Sequence, residues 1–203
     1  MGLTTGIKGL DRLLEGYPEG PVLVEYEHGS GATLLGLTYL KAGLSAGEKV
    51  ALIAVDVPEK ALFKRLLTVG VQDASTLDIK RISSSSPLKA ISLLGKQVKA
   101  FDRVLFDSLD PLLLFEQHDK YSPKFGVLAN KLKKIMLKNR SMMFLASFNP
   151  ENMEFYEFLE EAFSGVLRLS SSSEGRRMSV IKWPWQPRAT VIAYHITREG
   201  IKL

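Results

Sequence analysis

Residues 26–33 have the spacing of a phosphate-binding loop, but two of its residue types are changed. The segment reads Tyr26-Glu27-His28-Gly29-Ser30-Gly31-Ala32-Thr33. In the pattern G-x-x-x-x-G-K-[ST], backbone N–H groups and a lysine hold phosphates, and the hydroxyl residue holds magnesium. Gly31 and Thr33 match this pattern, whereas Tyr26 replaces the first glycine and Ala32 replaces the lysine. The spacing therefore indicates a phosphate site that has lost its positive charge.

Two interpretations of this loop follow from its residues. Gly29-Ser30-Gly31 can form a small anion-binding nest, and Thr33 could reach a magnesium ion. Against this, Glu25 and Glu27 place negative charge beside the loop, which would repel a phosphate ligand. Tyr26 also brings a bulky ring to a tight turn. The loop is either a purely structural strand-to-helix turn or a degenerate nucleotide site, whose residues would be Gly29, Ser30, Gly31, Ala32, Thr33 and Asp107.

Asp107 and Asp56 are the two carboxylates that follow apolar runs. Asp107 ends the run 103–108 and either holds magnesium through water or bonds to the backbone or to Thr33. Asp56 follows the run 50–55, where a short acidic side chain favours the N-cap of the next helix. No metal-ligand spacing joins His28, His118 and His195.

The elements that must position these residues alternate between strands and helices. Short apolar runs at 22–26, 49–55, 78–82, 103–108 and 141–146 predict strands, and continuous apolar composition is typical of buried parallel strands. Helices are predicted from Thr33 to about Ala42, from 59 to about 70, and over 88–100, 124–140 and 151–162. The apolar sides of the first two are Leu34, Leu37, Tyr39 and Leu40, and Leu62, Phe63, Leu66 and Leu67.

The two ends of the chain differ from this middle part. Residues 3–16 predict a turn and a short helix with Ile7, Leu10, Leu13 and Leu14 on one face. At the other end, strands at 165–169, 177–182 and 190–196 are separated by turns at 170–175 and 184–188. The whole pattern predicts an α/β fold, with a mostly parallel central sheet, helices on both faces and an antiparallel extension at the C-terminus.

Composition places the chain among soluble globular proteins of one domain. It has 203 residues, of which 45% are hydrophobic and 24% charged, and it has no cysteine. No secretory signal or run of about 18 apolar residues is present, so we expect a cytoplasmic protein without a transmembrane helix. The net charge of +5 favours nucleic-acid binding only weakly.

Several segments in order resemble one family. Residues 5–14, Thr5-Gly6-Ile7-Lys8-Gly9-Leu10-Asp11-Arg12-Leu13-Leu14, resemble the segment before the P-loop in RecA-superfamily ATPases of the KaiC/RadA type. The run 104–109 is similar to that family's Walker B strand, and the likeness extends to residues 165–169, 182–184 and 196–201. It implies a single RecA/KaiC-like domain over 1–203, with a three-layer P-loop NTPase fold.

The resemblance also implies ATP bound between subunits of a ring or filament, but the matching residues are eroded. Asp56, between Val55 and Val57, would be what is left of the family's acidic pair. Lys182 is present where the family has the lysine of a Lys-x-Arg pair, and Pro184 stands at the arginine position. Together with Ala32, these changes predict a non-catalytic pseudo-ATPase that needs no cofactor, although ATP with magnesium stays an alternative.

Two helices and one turn are candidate partner surfaces. The predicted helix 124–140 is basic (Lys124, Lys131, Lys133, Lys134, Lys138 and Arg140), whereas 151–162 is acidic. They are either solvated faces or complementary parts of a subunit interface. In Trp183-Pro184-Trp185-Gln186-Pro187, the tryptophans either fill the core or bind a partner.

Three functions are thus predicted. The first is a regulatory or scaffolding protein that associates with itself or with an active RecA/KaiC-like paralogue. The second is a nucleotide-binding protein without turnover. The third is a DNA-repair accessory, similar to RadA paralogues, that binds nucleic acid through its basic helix.

Overall fold

A computed structural model describes residues 4–55, 57–71, 77–82, 91–92, 95–96, 98–110, 123–138, 141–148, 162–184, 190–197 and 200–203. Nine strands of this part form one sheet. They are β1 (Val22–Tyr26), β2 (Val50–Val55), β3 (Leu77–Ile82), β4 (Arg103–Asp107), β5 (Met142–Ser147), β6 (Gly165–Ser172), β7 (Gly175–Lys182), β8 (Thr190–Thr197) and β9 (Gly200–Lys202).

The strand order is β3-β2-β4-β5-β1-β6-β7-β8-β9. Neighbouring strands from β3 to β6 are parallel, and those from β6 to β9 are antiparallel. β1 lies between β5 and β6, and its last residue, Tyr26, is level with Ser147 and Leu169. The predicted parallel sheet with an antiparallel C-terminal extension is confirmed.

Helices cover both faces of the sheet. The helices are α1 (Lys8–Leu13), α2 (Ala32–Ser45), α3 (Glu59–Thr68) and α4 (Pro123–Met136), and Val98–Ala100 is a 3₁₀ turn. One face buries Val22 and Val24 of β1 with apolar residues of α1, α2 and α3. The other face buries Leu23 with Leu132, Ile135 and Met136 at the end of α4. This alternation along β1 is what a strand buried on both faces requires.

The predicted helices differ from the structure in their bounds. α2 continues to Ser45 and α4 ends at Met136. α3 has Pro58 at its N-cap, so the N-cap assigned to Asp56 is wrong, and Asp56 itself lies outside the described residues. Residues 91–92 and 95–96 of the predicted helix 88–100 are helical. Residues 151–161 of the predicted acidic helix, together with Arg140, His118 and Trp185, also lie outside the described part, and Ala162 is in a turn.

The predicted apolar faces need four corrections. Leu13 of α1, and Phe63 and Leu67 of α3, are exposed at 37%, 43% and 63%, and Leu34 of α2 is only partly buried. Each helix instead buries a narrower stripe, which in α3 consists of Leu62 and Leu66 at i, i+4 spacing. Phe63 and Leu67 lie to the side of this buried stripe and are therefore exposed.

The structure describes the C-terminal turns in part. A turn is present within the predicted range 170–175 but is shorter, because β6 continues to Ser172 and β7 starts at Gly175, which leaves Ser173 and Glu174 as the turn. Of the predicted turn 184–188, only Pro184 is described. β9, a short strand that pairs with β8, was not predicted.

Trp183 belongs to the core. Its side chain is 4% exposed, and its Nε1 donates a hydrogen bond of 3.1 Å to the Leu14 carbonyl. A Cβ at Gly165 would lie 2.6 Å from the indole, so the glycine makes room for it. Of the two alternatives for this tryptophan, core packing is the one that the structure supports.

The N-terminal segment has a local explanation. The backbone N–H of Thr5 donates to Asp11 Oδ1, and the Thr5 hydroxyl accepts a hydrogen bond from the N–H of Ile7. Gly6 has φ of +83°, and a Cβ there would lie 2.8 Å from the Thr38 carbonyl of α2. Thr5, Gly6 and Asp11 therefore fix the turn that leads into α1.

None of the helices in the described part is long and apolar enough to span a membrane.

Candidate functional site

The loop 27–31 joins β1 to α2 at the carboxyl edge of the parallel strands, where ligands bind in open α/β sheets. Gly29 and Gly31 have φ of +81° and +87°, in the left-handed region that favours glycine. Gly31 is the N-cap of α2, and a Cβ there would lie 2.5 Å from Ile196 Cδ1. The backbone therefore favours glycine at position 31, and any larger residue there would also have to displace the end of the Ile196 side chain.

Tyr26 does not fill the loop. Its hydroxyl is 3.1 Å from Asp110 Oδ2, and Asp110 Oδ1 accepts hydrogen bonds of 2.7 Å from the N–H and the hydroxyl of Ser147. Burial, together with the charge of Asp110, raises the pKa of the Tyr26 hydroxyl well above its usual range. The ring is held across the ends of β1 and β5, so it forms a wall of the site and leaves the space beside the loop open.

That space is a cavity of about 420 Å³. Five of the six predicted site residues line it: Gly29, Gly31, Ala32, Thr33 and Asp107. The sixth, Ser30, is fully buried, and its hydroxyl has no hydrogen-bond partner among the described residues. The other lining residues are Tyr26, Glu27, His28, Val55, Val57, Arg65 and Ser108. A cavity of this size is within the range of small-molecule sites.

Asp107 is buried at the end of β4 and is close to a cation that the sequence did not point to. Arg65 of α3 places Nη1 3.5 Å from Asp107 Oδ2. Burial raises the pKa of Asp107, whereas Arg65 and a hydrogen bond from the Thr33 hydroxyl lower it and Asp110 raises it further. Thr33 lines the same cavity as Asp107, and the ion pair with Arg65 is an addition to the predicted partners of Asp107. A cis peptide bond joins Asp107 to Ser108.

The predicted repulsion by two glutamates is wrong for one of them. Glu25 is 2% exposed and does not line the cavity. Its Oε2 accepts a hydrogen bond of 2.7 Å from Arg168 Nε, so its charge is compensated. Glu27 does line the cavity, and its carboxylate accepts a hydrogen bond from the N–H of Ser171 at 3.0 Å.

The C-terminal strands hold the loop from outside. Arg176 of β7 donates to the Gly29 carbonyl at 3.0 Å, and the Tyr194 hydroxyl of β8 donates to the Ser30 carbonyl at 2.5 Å. Burial raises the pKa of Tyr194 to about 12, so this hydroxyl keeps its proton at neutral pH. The shape of the loop is thus fixed by protein contacts.

Arg65 and Asp110 are the site residues that sequence reasoning missed. Arg65 lies on the polar side of an amphipathic helix, where a cation has no motif to distinguish it. Asp110 follows the Walker B-like strand and could have been noticed as a second carboxylate three residues after Asp107. His28 lines the cavity, as its position in the loop suggested, whereas His195 is exposed on β8.

The lining residues fit a phosphate better than a magnesium ion. The positive-φ glycines, the start of α2 and the Arg65 guanidinium face or border the cavity, and such groups bind anions. Magnesium would need the Asp107 carboxylate, which already has Arg65 and Thr33 as neighbours. In the described part of the chain, no group of three or more His, Asp or Glu side chains could hold a metal.

The other predicted surfaces are only partly described. On α4 and just after it, Lys134 and Lys138 are exposed, and Lys131 donates to the Ser92 hydroxyl at 2.8 Å. Binding of nucleic acid by this helix stays a prediction. Lys182 ends β7 opposite Val166, at the other end of the hairpin from Arg176, and does not line the cavity.

A family model described as "ATPase: KaiC" matches residues 3–203, nearly the whole chain. No curated protein matches the chain. The matched region includes every strand and helix described above.

Proposed function

Because this chain belongs to the KaiC ATPase family, we propose that it is a non-hydrolysing member that binds a nucleotide by its phosphates. The open cavity of about 420 Å³ beside the loop carries this proposal. The tyrosine that replaces the first glycine of the motif bonds to Asp110 at the wall, and Gly29 and Gly31 keep the left-handed backbone of an anion-binding loop.

Two features of the same cavity oppose hydrolysis. The P-loop lysine stabilises charge on the transferred phosphate, and Ala32 has no such group. Asp107, at the position that would hold magnesium, is buried beside Arg65. Removing a single preorganised donor from an oxyanion site lowers kcat by about 10²–10³. Here the lysine is absent, and the carboxylate that would hold magnesium is already paired with Arg65.

Calorimetric titration and an ATPase assay on the purified protein test the proposal together. We expect heat of binding with ADP or ATP at up to millimolar concentration and no phosphate release above the blank. Absence of binding by either nucleotide, with or without magnesium, would refute the binding role. ATP hydrolysis that disappears in Asp107→Ala would refute the non-hydrolysing role.

Self-association is a second candidate, supported by the antiparallel extension. Val191 and Ile181 are exposed at 62% and 40%, on neighbouring strands β8 and β7. Exposed apolar side chains that lie together favour a contact with another protein. A second copy of the same chain is the simplest partner. Analytical ultracentrifugation should show an oligomer that Val191→Lys dissociates. A monomer at every concentration, with and without nucleotide, would remove this candidate.

A further inference from the structure

Arg65 is the only arginine or lysine among the described residues that line the cavity. It comes from α3, which follows β2, and so reaches the site from a different element than the P-loop lysine would. Residue 32, at the start of α2, and residue 65 line the same cavity. A positive charge is therefore present in this cavity although the loop itself has none.

The Arg65 guanidinium has donors to spare. Within the described part of the chain, its one polar contact is the 3.5 Å distance from Nη1 to Asp107 Oδ2. This distance is long for a charged hydrogen bond, which is usually about 2.7–2.9 Å. A guanidinium has five N–H donors in a planar fork that matches phosphate oxygens. The side chain is 44% exposed, so it can turn from Asp107 towards a ligand.

We propose that Arg65 supplies the phosphate-binding charge that Ala32 lacks, and that it does so without magnesium. This inference rests on the proposed nucleotide binding. Arg65 contacts Asp107, the carboxylate that a metal would need, and both residues line the cavity. The guanidinium therefore serves as the counter-charge in place of both the lysine and the metal. Arginine is suited to this role because it binds phosphate in a bidentate manner from one side chain.

The charges of the cavity also limit the ligand. Among the described residues that line the cavity, Arg65 shares it with two carboxylates, Glu27 and Asp107. One guanidinium beside two carboxylates cannot compensate the full charge of a free triphosphate, and each additional phosphate increases the repulsion. The site therefore prefers a nucleotide with one or two phosphates, and ADP is the probe of choice.

Titration of the 203-residue chain with ADP in EDTA tests the role of Arg65. Arg65→Gln should weaken binding about 10- to 100-fold, as expected for loss of a charge-assisted hydrogen bond. Lys64→Gln is the matched control, because it removes the same charge from the neighbouring, exposed position of α3, outside the cavity. It should bind ADP like the wild type. Equal binding by Arg65→Gln and wild type would overturn the inference and leave nucleotide binding itself intact.

A second variant moves the charge back to the loop. Arg65→Gln combined with Ala32→Lys should recover most of the lost affinity, since residue 32 lines the same cavity. Circular dichroism confirms that each variant is folded. For the wild type, magnesium should not strengthen ADP binding, and ATP in EDTA should bind more weakly than ADP. ADP binding that is lost in EDTA would refute the metal-free mode. If the wild type binds no nucleotide under any condition, the proposed function itself fails.

Discussion

Arg168→Met should destabilise the protein much more than Glu25→Gln, although the two residues form one ion pair. Glu25 sits in the central strand β1 with a side chain 2% exposed, whereas the Arg168 side chain on β6 is 34% exposed. The guanidinium also lies 4.2 Å from the centroid of the Phe148 ring. Loss of the arginine leaves a carboxylate in the core, and loss of the carboxylate leaves an arginine that water can still reach.

The size of the difference follows from this burial. Breaking a buried pair by removing one partner costs about 3–5 kcal/mol. Because Arg168 is one-third exposed, we expect the lower end, about 3 kcal/mol, for Arg168→Met. Glu25→Gln keeps the shape and a hydrogen-bonding amide, so about 1 kcal/mol is expected. At about 2–4 °C per kcal/mol for a chain of this size, Tm falls by about 6–12 °C in the first case and about 2–4 °C in the second.

Urea and thermal unfolding followed by circular dichroism measure these changes. The double variant Glu25→Gln with Arg168→Met should be more stable than Arg168→Met alone, because the buried charge has been removed. The exposed pair Arg177–Glu174, with side chains 56% and 72% exposed, is the control, and Arg177→Met should change stability by less than about 0.5 kcal/mol. Equal effects of the two single variants, or a double variant whose effect is their sum, would refute the reasoning.

Two further predictions concern the site and the core. Burial raises the pKa of Asp107, so the folded protein binds this proton more tightly than the unfolded chain, and stability falls as pH rises above the usual carboxyl value of 3.8. Asp107→Asn should therefore have a higher Tm than wild type at pH 7, and the difference in Tm should disappear towards pH 3. A lower Tm of the variant at pH 7 would contradict this prediction. Trp183→Ala should lower the free energy of unfolding in urea by about 3–5 kcal/mol, since a buried indole and its hydrogen bond to Leu14 are lost. A decrease of less than about 1 kcal/mol would show that Trp183 does not fill the core.

The parallel part of the fold was predictable because its signal is local. β2, whose six residues are all buried, is a continuous apolar run, and such a run of strand length predicts a strand covered on both sides. The glycine turn between β1 and α2 is also local, because a positive φ at Gly29 and Gly31 favours glycine whatever lies nearby.

The antiparallel extension was harder because its strands are only half apolar. β6 ends in Ser170, Ser171 and Ser172, which by composition favour a loop. They form a strand because β7 pairs with them, from Ser170 opposite Arg177 to Ser172 opposite Gly175. That pairing depends on tertiary structure, which outweighs the weak local preference of serine.

The charge of the candidate site was not predictable for a similar reason. The contact between Arg65 and Asp107 joins residues 42 positions apart, and α3 has other cations of the same type, such as Lys60 and Lys64. Nothing in the sequence separates the arginine that turns inward from the lysines that face solvent. Likewise, Glu25 and Glu27 are only two positions apart in the sequence but have different partners in the structure. Glu25 accepts a hydrogen bond from Arg168, and Glu27 accepts one from the backbone N–H of Ser171.

The missing lysine therefore does not decide whether the loop keeps its shape. A peptide group is planar and trans, so its N–H points away from its C=O. Because Tyr194 holds the Ser30 carbonyl towards β8, the N–H of Gly31 in the same peptide group points away from β8. Arg176 fixes the Gly29 carbonyl from β7, and the N–H of Ser30 in that peptide group donates to the Glu27 carbonyl at 3.1 Å. The contacts of Tyr194 and Arg176 come from the C-terminal strands and need no phosphate, so the loop keeps its shape in a chain that has lost the P-loop lysine.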